Sequence, residues 1–235
     1  FRRVLFRSEN ACGVADELLE ALDALEAAGE PGKALKGRLE VLLRQRILDW
    51  RPALADGSLA AEPRLRQLAL AEAAQDGDID LLQRLRDAGC DFAETLRGRG
   101  GVLEACLARG RLEAAGWLLD QGVAVHQDSL QIGAAHLDAV LAERLLRLGA
   151  ISDPNTVLLA LQYGDADAAR IMARPLLEES PARASALRLA LASRAERERS
   201  DARRVRSGKM GSNRSPDDYL ALAERLERFL AELPG

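Results

Sequence analysis

Four glycines constrain this chain more than any other feature. Gly77 and Gly110 lie 33 residues apart, and so do Gly89 and Gly122. Each of the intervals 77–89 and 110–122 brackets an apolar segment, DIDLLQRLRDA in the first and RLEAAGWLLDQ in the second. A short alanine-rich stretch precedes each interval: AEAAQD before Gly77 and EACLAR before Gly110. Self-similarity at a fixed period of this size is the mark of a stacked repeat array. A two-helix hairpin of this length cannot bury its apolar stripe alone, so neighbouring units must stack into a continuous core. Gly77 and Gly110 are placed for a sharp turn between helices. Gly89, Gly122 and later Gly149 are placed for left-handed helix ends, where a residue without Cβ is not strained.

About four units follow from this spacing: 71–92, 104–125, 136–152 and 158–177. In the last two the spacing shortens, with Gly149 only 27 residues after Gly122. Apolar residues make up 48% of the chain but aromatics only 3%, so alanine and leucine must do the packing. Both favour helices, and alanine lets backbones approach closely. No stretch alternates convincingly enough to read as a strand, and the expected fold class is all-α.

Outside the repeats, residues 15–28 and 33–50 read as two N-terminal helices, the second stopping before Pro52. The string Gly37-Arg38-Leu39-Glu40 repeats Gly110-Arg111-Leu112-Glu113, a hint of a further decayed unit. The segment ALADGSLAAE (53–62) reads as a loop, with Pro63 as a first helical position. The expected organisation is an N-terminal helical cap region over 9–62, repeats over 63–180, a helix over 181–206, a flexible polar link over 207–216, and an amphipathic helix over 217–235. The last helix is marked by Ser215 as N-cap, Pro216 in the first turn and Asp218 completing a capping box. Its apolar residues Tyr219, Leu222, Leu226, Phe229 and Leu233 are spaced 3, 4, 3, 4, a narrow stripe that must be covered.

The unit resembles the ankyrin repeat, whose general form is TPLHLAA, two variable residues, then GHLEVVKLLLEAGADV. Ala73-Ala74 and Gly77-Asp78-Ile79-Asp80-Leu81-Leu82 match, as do Gly110-Arg111-Leu112-Glu113, Leu118-Leu119 and Gly122. The resemblance covers residues 65–178, about half the chain. It departs from the pattern at the TPLH turn, which is absent from every unit; Gly101-Val102-Leu103-Glu104 stands there in the second. The 27-residue spacing is too short for two helices and a full finger, so plain helical hairpins are expected in the last two units. The resemblance implies an ankyrin-like helical-hairpin solenoid with helical caps that binds a protein partner on finger tips and first helices. Mapped onto this chain, that implies contact residues Phe92, Arg97, Arg99, His126 and Gln127.

The first eight residues, FRRVLFRS, resemble one translated frame of a widely used sequencing-library adapter and are expected to be foreign to the gene. Without their three arginines, the basic residues fall from 33 to 30 against 37 acidic ones. An acidic chain repels phosphate backbones, so no nucleic-acid partner is expected. Three cysteines with no CxxC pair make a disulfide framework unlikely on arithmetic alone and point to the cytoplasm. No apolar run approaches the ~20 residues that span a bilayer.

Residue patterns for chemistry are sparse. Two histidines, His126 and His136, have no ligand cluster around them, and no metal or cofactor is expected. Cys90 and Cys106 occupy small-residue positions and read as packing groups. Trp117 falls at a leucine position of the repeat and reads as core. Asp78 and Asp80 have helix-start positions. The stretch 194–214 holds eight basic against three acidic residues, a solvated helix end or a dock for an acidic partner. The expected function is a non-enzymatic protein-interaction module, monomeric, with a dimer through 217–233 as the alternative state. The competing reading is the repeat region of a larger enzyme or effector whose catalytic part lies upstream.

Overall fold

A computed structural model describes residues 49–94, 96 and 100–234. The expected helices over 15–28 and most of 33–50, and the string at 37–40, lie outside the described residues. Eleven α-helices are described: α1 (Arg51–Asp56), α2 (Pro63–Asp76), α3 (Ile79–Asp87), α4 (Val102–Ala108), α5 (Leu112–Asp120), α6 (Ser129–Gly133), α7 (Ala139–Arg147), α8 (Pro154–Tyr163), α9 (Ala166–Glu179), α10 (Pro181–Arg206) and α11 (Pro216–Glu232). Extended pairing among the described residues is confined to one isolated bridge, where the Leu96 N–H donates to the Gly100 carbonyl at 2.7 Å. The described residues fold as helices throughout, in line with the composition and periodicity.

Two compact units divide the described residues. One gathers the residues up to Leu70 together with Gln83–Asp91. Its core is built on Trp50, Leu59, Leu70 and Leu85, all buried. Here the expected loop 53–62 is corrected. Pro52 sits in the first turn of α1, where its missing N–H costs nothing. α1 then stops at Gly57, and a 3-10 turn, Leu59–Ala61, buries Leu59 before Pro63 opens α2.

The second unit holds Ala71–Leu82 and the described residues from Phe92 onward. Within it, helices meet their sequence neighbours and the next pair along. α4 packs on α5 and α6, α6 on α7 and α8, α8 on α9 and α10, and α7 on α9. The shared core is leucine and alanine, including Leu103, Leu107, Leu118, Leu130, Leu137, Leu145 and Leu187. Ala105, Ala114, Ala115, Ala142, Ala160, Ala168, Ala169 and Ala173 are also buried, which is how so few aromatics suffice.

One stop device recurs along the chain. At Gly89, Gly122 and Gly149 φ is positive, at 81°, 79° and 100°. In each case the glycine N–H bonds the carbonyl three residues back, and the next N–H bonds the carbonyl five residues back: Cys90 to Leu85, Val123 to Leu118 and Ala150 to Leu145, at 3.0–3.1 Å. This is the Schellman closure, and it satisfies carbonyls that a helix end leaves open. Starts are equally local. Asp78, Asp138, Asp153, Asp165 and Ser180 accept N–H bonds from the first turns of α3, α7, α8, α9 and α10. Such a cap contributes about 0.5–2 kcal/mol.

The inner turns repeat as well. Arg111 lies over Gly77, and His136 lies over Gly110, so that a Cβ on either glycine would come within 3.0–3.1 Å of the side chain above it. Arg111 Nε also donates to the Gln75 carbonyl at 2.8 Å. At the fourth unit, the contact is backbone to backbone. A Cβ on Gly164 would stand 2.8 Å from the Ala134 carbonyl oxygen and 3.3 Å from the Ala135 carbonyl carbon. Neither atom can rotate away, so Gly164→Ala is expected to cost about 1–3 kcal/mol of stability through overpacking. Urea unfolding of the variant measures it, and an unchanged midpoint would show that α6 and α8 are not in this contact.

Candidate functional site

The second unit presents connectors where its hairpins join. Residues 123–128 link α5 to α6, and residues 148–153 link α7 to α8. The two connectors are tied together by the Ile151 N–H, which donates to the Gln127 carbonyl at 2.9 Å. The His126 N–H donates to the Ser129 hydroxyl at 3.1 Å, which fixes the entry into α6. The side chains of His126 and Gln127 are exposed on this edge. Leu148 and Ile151 are about half exposed, at 51% and 46%. These two aliphatic groups were not singled out from the sequence. Their signal was available, since they flank Gly149 outside the stripe of Leu141 and Leu145 that faces the core.

Two of the five residues expected to contact a partner lie outside the described residues, Arg97 and Arg99. A third, Phe92, is corrected by its burial. Its ring packs edge-on against Trp117, centroids 6.0 Å apart at 60°, and 8% of the residue is exposed. An edge-to-face pair of this kind contributes about 0.5–1.5 kcal/mol beyond the area it buries and holds the ring in place. Phe92 is held against Trp117 of α5, and of the five residues only His126 and Gln127 are placed at the surface. Trp117, read as core, is half-buried against Phe92.

Beneath the connector edge lies a buried carboxylate. Glu104 is 2% exposed and accepts from the Ser129 hydroxyl at 2.7 Å and the Gly101 N–H at 3.0 Å. It joins α4 to α6 across consecutive hairpins. A buried charge is tolerated only with such partners. Removal of one would cost about 1–3 kcal/mol for the groups left unpaired.

Cys106 sits on the same helix with no exposed surface. Burial, and then the negative charge of Glu104, push its thiol up to about 12, with Arg111 pulling weakly the other way. The thiolate is the nucleophilic form, so this cysteine is inert near neutral pH. In a chain carrying Cys106 as its sole thiol (Cys12→Ser, Cys90→Ser), a chromogenic aromatic disulfide at pH 8 is expected to react only after denaturant is added. Prompt labelling of the folded chain would contradict the burial.

The basic stretch 194–214 spends much of its charge inside the molecule. Arg194 bonds Glu198 at 2.7 Å and Gln162 at 3.0 Å. Arg199 grips Glu227 of α11 with two bonds, at 2.8 and 2.6 Å. Arg203 pairs with Glu196, Arg204 with Asp201 and Arg206 with Asp217. Arg214 lies 3.2 Å from the buried carboxylate of Glu198 and 4.1 Å over the Tyr219 ring. The segment 207–215 is further joined to α11 by a 2.8 Å bond between the Ser212 and Tyr219 hydroxyls.

Among the described residues, no group of three or more His, Cys, Asp and Glu is arranged to hold a metal. No described helix is long and apolar enough to cross a membrane. Comparison with family models, curated proteins and solved structures finds no match to this chain.

Proposed function

We propose that the chain is a protein-interaction module built on ankyrin-like repeats, a non-enzymatic scaffold or adaptor whose contact edge runs through the connectors 123–128 and 148–153. The observation that supports this reading is a recurring pattern: Gly77 and Gly110 each turn one helix into the next, the same Schellman stop follows α3, α5 and α7, and from α4 onward successive helix pairs pack on one another. Arrays of that kind offer an extended surface in which each unit contributes a few side chains. His126, Gln127, Leu148 and Ile151 supply mixed polar and aliphatic contact there. The chain's acidic balance, and the engagement of Arg194 and Arg199 with Glu198 and Glu227, support a protein partner over nucleic acid, because phosphate binding draws on free cations. The odd cysteine count supports a reducing compartment such as the cytoplasm.

The test is capture from lysate of the source cells by the full chain and by a triple variant, Gln127→Asp, Leu148→Asp and Ile151→Asp. A partner that is retained by the native chain and lost by the variant, with both melting alike, is the expected outcome. A partner held equally by both would move the contact surface elsewhere. Turnover of a substrate by the chain itself would replace the scaffold reading.

A further inference from the structure

We draw no further inference here: the strongest candidate, the groove between α7 and α9 lined by Ile151, Ile171, Pro175 and the buried, unpartnered hydroxyl of Ser152, carries none, because its rim sets three arginines against three glutamates and nothing in the structure shows what covers it.

Discussion

Deleting residues 215–235 is expected to lower the thermal midpoint sharply and to make the remaining chain aggregate. The reason lies in the stripe on α11. Leu222, Leu226 and Phe229 are buried, with Tyr219 and Leu233 half-buried beside them. α11 packs along α10 and reaches α8, where Arg225 donates to the Leu161 carbonyl at 2.9 Å. Arg170 of α9 pairs with Glu232 at 2.8 Å, and Arg188 of α10 bonds the Pro234 carbonyl. The surface ion pairs add little, since exposed pairs contribute about 0–1 kcal/mol each.

The apolar burial is the larger part. At about 1.5–3 kcal/mol per large side chain, the three buried residues alone amount to roughly 5 kcal/mol or more. Their removal also uncovers apolar surface on α10. A helix of this length is marginal alone, so the deleted piece could not persist as an independent element. The intact chain is expected to run as a monomer in light scattering, because the stripe is already covered from within. An intact dimer that becomes a stable monomer on deletion would make α11 an association element and overturn its role as an end cover.

Leu118→Ala is expected to cost about 2–5 kcal/mol, the range for emptying a leucine site in a packed core. Leu118 has no exposed surface. It lies in α5 between the buried Ala114 and Ala115 and the Schellman stop, to which its own carbonyl contributes by accepting from Val123 at 3.1 Å. Alanine keeps that backbone bond and the helix propensity, so the loss reads packing alone. Chemical denaturation with an unchanged slope would report it cleanly. A loss below about half a kcal/mol would mean that the site collapses around alanine with no cavity, contrary to the cost such cores show.

How much of this was legible beforehand follows from where each partner lies along the chain. Gly89, Gly122 and Gly149 end helices through bonds that reach back three and five residues. Ser215 and Asp218 cap α11 through bonds three residues long, at 2.8 and 3.1 Å. Pro63, Pro181 and Pro216 open helices because a first turn does not need their N–H. Interactions of that range are written in neighbouring letters, and the helix positions could be read from them. The short helix α1 escaped because Pro52 reads equally well as a stop before it and as part of a first turn.

Phe92 shows the opposite case. Nothing adjacent to it in sequence distinguishes a ring on a binding edge from a ring in the core; its partner, Trp117, is on the next helix pair. Glu104 meets Ser129 across 25 positions, Arg199 meets Glu227 across 28, and Arg225 meets Leu161 across 64. By itself the sequence determined the all-helical class of the described residues and the helix ends marked by Gly89, Gly122, Gly149 and Ser215, since backbone hydrogen bonding and turn chemistry act over a few residues. Only the tertiary structure decided which aromatic is buried, which arginines are already paired and which helix faces the α11 stripe covers, because those outcomes depend on side chains that meet only once the units have packed.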